Sequence, residues 1–147
     1  MKARLNRRCR LICLGLFGII AGCSCSSSID ENQKRTRLEM RMSLDDVVEA
    51  ADNMDLALDA AAAEPGDPSP KSLLQCRHDL LFQAIRHAGR IAALLPRQEA
   101  IAMLTTVERL HPLTILELAK AQDVEGAKAE LRNLRNRAVN TRPQLGD

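Results

Sequence analysis

Aromatic residues are almost absent from this chain of 147 residues. The sequence contains no Trp, no Tyr and only two Phe. Proteins that bind single-stranded nucleic acid stack successive bases on aromatic side chains. The composition therefore argues against a nucleic-acid partner, and it equally disfavours an aromatic carbohydrate-binding surface.

Catalytic motifs are missing as well. There is no Gly-rich phosphate loop, no nucleophile elbow, no His-Glu-x-x-His zinc motif and no Cys-x-x-Cys-His haem attachment. The acids around Asp52 and Asp55 lack the spacing and the glycine of a calcium loop. We therefore predict that the chain is not an enzyme.

What is present begins with a leader in residues 1–22. Five basic residues and no acid precede ten uncharged, mostly apolar residues from Leu11 to Ile20, which is the order of a secretory signal peptide. This run is too short for a membrane-spanning helix, which needs roughly 20 apolar residues. The leader therefore predicts export.

The leader ends in Ile20-Ala21-Gly22-Cys23, which resembles the lipobox of bacterial lipoproteins. The resemblance implies that residues 1–22 are removed and that Cys23 carries covalent diacylglyceryl and N-acyl lipid. Two or three acyl chains, at about 0.8 kcal/mol per buried methylene, anchor a protein stably in a lipid bilayer. Ser24 stands where an aspartate would retain a lipoprotein in the inner membrane. The resemblance therefore implies the outer membrane, with the body in the periplasm.

Removal of residues 1–22 changes the composition of the remaining chain. The formal net charge falls from +2 to −3, because five basic residues and no acidic ones are lost. Two cysteines leave with the leader and Cys23 is acylated, so Cys25 and Cys76 remain. In an oxidising compartment these two can form a disulfide. Alternatively, Cys25 pairs with another chain or stays reduced.

Two kinds of segment are expected after the lipidation site. Residues 23–35 are Ser-rich and polar, which predicts a flexible tether. From residue 36 onwards, apolar residues recur at alternating spacings of three and four, which is typical of helices. Prolines and capping residues such as Asp123 divide residues 36–142 into four helices. We therefore predict an all-α fold, an antiparallel up-and-down four-helix bundle, with a flexible C-terminus over 143–147.

The same spacing predicts which side chains face the core. Pro112 is expected to kink or split the third helix near His111. In the second helix, Leu73, Leu80, Ile91 and Leu94 widen the inward stripe. The predicted inward residues of the four helices are Met40, Leu44, Val47, Ala51, Met54, Leu58 and Ala61; Leu74, His78, Leu81, Ile85, Ala88, Ala92 and Leu95; Leu104, Val107, His111, Ile115 and Leu118; and Val124, Ala127, Leu131, Leu134 and Ala138.

Charge is distributed unevenly between the first and last helices. Residues 45–67 contain eight acids and no Lys or Arg, whereas the last helix carries Lys128, Arg132, Arg135 and Arg137. These faces attract each other if the two helices are neighbours, or they are simply solvated. A third interpretation is that the acidic face of helix one binds a basic envelope protein.

One internal constellation merits attention. Antiparallel packing of the predicted helices places Met54, His78 and His111 at about the same height along the bundle. Two imidazoles and a thioether are suitable ligands for copper or for haem iron. The alternative is that these histidines are ordinary core or boundary residues.

A weak family resemblance bears on the same question. Val124-Glu125-Gly126-Ala127-Lys128, after Leu118-Ala119-Lys120-Ala121, resembles the last helical hairpin of the soluble four-helix b-type cytochromes. Leu38-Glu39 with Met42 is similar to the start of that family's first helix, where a methionine ligates haem. Near the chain end, Thr141-Arg142 stands where the family has its haem-ligating histidine. The resemblance therefore implies the fold more than the haem.

Together these observations predict a membrane-anchored, periplasm-facing helical lipoprotein with a non-enzymatic binding or structural role. The alternative is a haem- or copper-binding four-helix bundle that uses Met54, His78 and His111.

Overall fold

A computed structural model describes residues 6–64 and 68–145, with their side chains from residue 28 onwards. No strand occurs in these ranges, and the predicted all-α class is confirmed. The helices are α1 (Asn6–Ala63), α2 (Pro68–Ala92), α3 (Arg97–Glu108), α4 (Leu113–Lys120) and α5 (Val124–Thr141), followed by a short 3-10 helix (Arg142–Leu145). None of the helices in the described ranges is long and apolar enough to cross a membrane.

The chain divides into two compact units, Met1–Arg35 and Thr36–Asp147. In the first unit, residues predicted as a flexible tether lie within helix α1. The helix is continuous because neither Pro nor Gly occurs between Gly22 and Pro65. Lys34 Nζ also lies 3.6 Å from Asp30 Oδ2, one helical turn earlier. Residues 23–35 are therefore helical, and their described side chains, from residue 28 to 35, are mostly exposed. Their role as a tether stays a prediction.

The second unit contains one hydrophobic core. The inward stripes predicted for the first two helices are buried, apart from half-buried Ala61. In the last helix, Ala127, Leu131, Leu134 and Ala138 are buried as predicted. Alternating spacings of three and four keep these residues on one side of each helix, so this part of the core follows from the sequence pattern. Val124, Leu104 and Leu118, also predicted to face inward, are only half-buried.

The flank of α2 departs from that prediction. Leu73, Leu80 and Leu94 are exposed, and Ile91 is only half-buried. Leu73, Leu80 and Ile91 lie next to the buried stripe of α2, and Leu94 lies in the turn after the helix ends. Their hydrophobic character alone led to the prediction that they widen the inward stripe. A helix buries only the face that another element covers, so the apolar flank of α2 remains on the surface.

The chain is not helical between Glu108 and Leu113, and α3 and α4 lie on either side of this break. Pro112 lies immediately before α4. Proline lacks an N–H and its ring disfavours a helical conformation in the preceding residue, so α3 does not continue into α4. After α3 ends, Leu110 faces the core and His111 is exposed. The prediction that His111 faces inward is therefore wrong.

The turn between α4 and α5 has a defined geometry. Gln122 adopts a left-handed conformation with φ 63°. The N–H groups of Gln122 and Asp123 donate to the carbonyls of Ala119 and Leu118, as in a Schellman motif. Asp123 Oδ1 accepts a hydrogen bond from the Gly126 N–H at 2.9 Å. The predicted N-cap role of Asp123 is thereby confirmed.

The last described residues form a short helix that packs on the core. Residues 142–145 form the 3-10 helix, and Leu145 is buried against the core. Residues 143–145 of the predicted flexible segment therefore lie in this 3-10 helix, where Leu145 supplies an apolar side chain to bury. Flexibility of the C-terminus stays a prediction.

Candidate functional site

Ion pairs join α1 to the C-terminal segment at intervals of seven residues. The pairs are Asp45–Arg142 (2.5 Å), Asp52–Arg135 (2.7 Å) and Asp59–Lys128. From one pair to the next, the residue number of the acid rises by seven and that of the base falls by seven. The α1 segment and the C-terminal segment therefore run in opposite directions. Asp59 raises the pKa of Lys128 chiefly through their hydrogen bond, although desolvation opposes this shift.

A further ion pair holds α3 against the start of the body. Arg37 donates from Nε and Nη2 to the two carboxylate oxygens of Glu99, at 3.0 and 2.7 Å. This two-pronged contact is the strongest geometry available to an arginine and a carboxylate. The Arg37 hydrogen bond also holds the pKa of Glu99 below its usual value, outweighing desolvation.

These contacts use part of the predicted acidic face of helix one. Three of its acids pair within the chain, whereas Asp46 and Glu49 remain exposed. Asp46 lines an open cleft of about 600 Å³ together with Arg86, His87 and Arg90 of α2. The acidic face therefore pairs with basic side chains of α5 and of the 3-10 helix, and it shares an open cleft with basic side chains of α2.

The three predicted metal or haem ligands lie in different environments. Met54 is fully buried, and His78 is only 5% exposed. His78 Nδ1 lies 3.4 Å from Asp79 Oδ1, a long contact, and His78 Nε2 has no hydrogen-bond partner among the described residues. His111 is exposed. Among the residues that the structure describes, no three His, Cys, Asp or Glu side chains come together as a metal site.

The cysteine predictions fall largely outside the described side chains. Neither Cys23, the predicted lipidation site, nor Cys25 belongs to the part of the chain whose side chains are described. Cys76 is exposed on α2 and forms no disulfide with any described residue. Lipidation of Cys23 and pairing of Cys25 with Cys76 therefore stay predictions.

An apolar groove of about 520 Å³ lies between α2 and α3, and we call it the α2–α3 groove. Its residues come from α2, from α3 and from the break that follows α3. They are Phe82, Ile85, Arg86, Gly89, Arg90, Ala93, Leu104, Val107, Glu108, Leu110, His111 and Pro112. This volume is in the range of small-molecule sites in proteins. The sequence analysis did not predict the groove, because it depends on a space between two helices.

Cationic side chains occupy the rim of the α2–α3 groove. The guanidinium carbon of Arg86 lies 5.9 Å from the centroid of the Phe82 ring, within reach of a cation–π contact. Within the described residues, neither Arg86 nor Arg90 forms an ion pair, and Glu108 is the one acid lining the groove. The groove therefore has an apolar floor and a rim with two arginines, which also line the neighbouring cleft with Asp46.

Comparison with protein-family models, with curated proteins and with solved structures found no match for this chain.

Proposed function

We propose that the chain is a bacterial envelope lipoprotein, anchored by acyl chains on Cys23, whose helical body binds a ligand and does not catalyse a reaction. The basic leader and the lipobox support the anchor. The α2–α3 groove is the observation that carries the binding role, because it is an open apolar space with a cationic rim beside a closed core. Ser24 supports the outer membrane, with the body in the periplasm.

The body is proposed to be an antiparallel up-and-down bundle. The opposite directions of α1 and the C-terminal segment, given by the pairs from Asp45 to Asp59, support this order. The Arg37–Glu99 pair joins the start of α3 to the part of α1 near Arg37. This supports a third helix of the bundle that runs in the same direction as α1. Helices α3 and α4 together form this third helix of the bundle, which is split near Pro112.

Acylation is tested by producing the full chain in a Gram-negative host with an alkyne analogue of palmitate. We expect the label on the wild-type chain and on a Cys25→Ser variant, and its loss in Cys23→Ser. An inhibitor of the lipoprotein signal peptidase should leave a larger, acylated precursor. Equal labelling of Cys23→Ser and wild type would contradict the anchor.

The binding role is tested by photo-cross-linking in intact cells. A photoreactive amino acid at Ala93, which lines the α2–α3 groove, should give a specific adduct. The same amino acid at Ala129, which is exposed on α5, is the matched control. A chain that gives no adduct from Ala93 under any growth condition would contradict a binding role at this surface.

Haem or copper binding is the second candidate, and the unpartnered His78 Nε2 is the observation that favours it. A buried ring nitrogen without a partner is available as a ligand, and Met54 is also buried. The exposed His111 does not share that environment, so the proposed set of three fits only in part. Purified protein that takes up neither copper nor haem, with no Soret band, would remove this candidate.

A further inference from the structure

We infer that a second copy of this chain covers the exposed face formed by α1 and α2, as a two-fold symmetric dimer in which Asp46 of each copy lies against Arg86 and Arg90 of the other. The inference goes beyond the proposed function, and it depends neither on the lipid anchor nor on a ligand in the α2–α3 groove. The face is complementary to itself in pattern, charge and position, so the chain's own copy fits it.

An exposed stripe runs along α1 on the side away from the core, and we call it the outer α1 stripe. Its members follow the alternating spacing of four and three that keeps side chains on one face of a helix: Met42, Asp46, Glu49, Asn53 and Leu56. Met42 and Leu56 are 58% and 68% exposed. Asp46 and Glu49 form no ion pair within the described residues. The outer α1 stripe therefore has large apolar side chains at both ends and unpaired negative charge between them.

A matching stripe of opposite charge runs along α2, and we call it the outer α2 stripe. Its members alternate at spacings of three and four and are all exposed: Leu73, Cys76, Leu80, Gln83, His87 and Arg90. Arg86 lies beside this stripe, whereas Asp79, the one acid of α2, is not a member. Neither Arg86 nor Arg90 forms an ion pair in the part of the chain that the structure describes. The outer α2 stripe therefore repeats the combination of exposed apolar side chains and unpaired charge, with the sign reversed.

The charged parts of the two stripes lie at the same height along the body. Asp46 lines one open cleft of about 600 Å³ with Arg86, His87 and Arg90, but it pairs with neither arginine of its own chain. A two-fold axis that runs parallel to the helices between α1 and α2 places each α1 over the α2 of the other copy, without a shift in height. Asp46 then faces Arg86 and Arg90 of the other copy, and the same contact occurs twice, as a closed symmetric interface requires.

The face has the size of a modest dimer interface. Helix α2 contains 25 residues and is therefore about 37 Å long, at about 1.5 Å per residue. Two neighbouring helices, each about 10 Å wide, offer roughly 700 Å² over this length. Specific interfaces bury about 800 Å² on each partner, and arginine–carboxylate contacts are among the strong hydrogen bonds. We therefore expect a reversible dimer with a dissociation constant of roughly micromolar order.

Photo-cross-linking between two differently tagged full chains in the same cells tests the inference. Both chains carry Cys25→Ser and Cys76→Ser, so no disulfide between these cysteines can join them. A photoreactive amino acid replaces Gln83 of the first chain, in the middle of the outer α2 stripe. We expect an adduct of twice the mass of the chain that contains both tags.

Charge reversal separates contact between copies from contact within one chain. When both tagged chains carry Asp46→Arg, or both carry the double variant Arg86→Glu, Arg90→Glu, like charges meet at both contacts. Each of these changes should lower the adduct at least about tenfold. In a mixed pair, one tagged chain carries Asp46→Arg and the other carries the double variant, so both contacts again join opposite charges and the adduct should return. Glu130→Arg and Arg132→Glu reverse exposed charges of α5 and should leave the adduct unchanged.

Several results would overturn the inference. These are the absence of an adduct between the two tags, an adduct that neither charge variant lowers, no recovery in the mixed pair, and another protein in place of the second copy. If charge reversal prevents a chain from accumulating in the membranes, Leu56→Glu decides the question, because it changes an exposed residue of the outer α1 stripe and not the core. This variant should also lower the adduct, whereas Leu113→Glu on α4 should not, and equal adducts from the two would overturn the inference as well.

Discussion

Replacing His78 with Leu is expected to stabilise the protein. His78 occupies the buried stripe of α2 between Leu74 and Leu81, and its side chain is 5% exposed. Nε2 lacks any hydrogen-bond partner among the described residues, and Nδ1 has only the 3.4 Å contact with Asp79. A buried polar atom without a partner costs about 1–3 kcal/mol relative to water. Leucine removes this cost and is similar enough in size to leave no large cavity.

We therefore expect His78→Leu to raise the free energy of unfolding by about 1–2 kcal/mol. For a domain of this size, such a change raises Tm by roughly 5 °C or more. Urea unfolding followed by far-UV circular dichroism is the appropriate assay, because the chain has no Trp or Tyr for fluorescence. A common Cys23→Ser background keeps acyl chains out of the comparison.

The exposed His87 provides the matched control for this measurement. His87→Leu should change stability by less than about 0.5 kcal/mol, as surface substitutions usually do. A destabilised His78→Leu protein would refute the reasoning, because it would mean that Nε2 has a partner in solution. Loss of a bound metal or haem in the same variant would identify that partner.

Four further outcomes are expected. Gly89→Ala should raise unfolding free energy by about 0.5–1 kcal/mol, since helix propensity improves and the Cβ fits; thermal unfolding measures this, and a destabilised variant would show that the space is smaller than described. Gln122→Gly should add about 0.5–1 kcal/mol in urea unfolding by relieving the positive φ, whereas Gln122→Ala should not. A double-mutant cycle of Asp52→Ala and Arg135→Ala should give a coupling energy of only about 0.2–1 kcal/mol, because both side chains are half-exposed; a larger value would indicate a cooperative ladder. The pKa of Glu99 is lowered in the folded state, so its contribution to stability is present above the unfolded pKa of 4.5 and is lost as the pH falls through the folded pKa. Between roughly pH 5 and pH 3, the Tm of Glu99→Gln should therefore vary less than the Tm of wild type. Parallel curves of Tm against pH would count against the Arg37 contact.

The inward stripes of α1 and α2 show how much of the fold is local information. Met40, Leu44 and Val47 are buried because the spacing of apolar residues matches the helical period, which is legible without any partner helix. The pattern failed at His111, where the spacing continues across a break. Proline ends the helical register, so a periodicity that runs through Pro112 no longer describes one face. Leu80 was predicted to widen the buried stripe but is exposed, since an apolar flank is buried only if another element covers it.

The candidate sites divide in the same way. The chemistry expected at Cys23 depends on a short local motif, so the sequence alone carries it, and it stays a prediction. Met54 and His78 were expected to face inward and both do, but whether they bind anything depends on what lies across the core. The α2–α3 groove was not predicted, because Phe82, Gly89 and Val107 are unremarkable in sequence and form a site only when two helices are apposed.

Local sequence was enough to predict the all-α class, the buried stripes of α1 and α2 and the N-cap at Asp123, since each depends on residues within a few helical turns. The packing of the helices sets which acids pair, which apolar flank stays exposed and where an open groove lies. These properties depend on contacts between residues far apart in the chain, such as Arg37 and Glu99, which are 62 positions apart. Helical periodicity shows which face of a helix is apolar, but it does not show which other helix covers that face. The surfaces that stay open for binding depend on that packing.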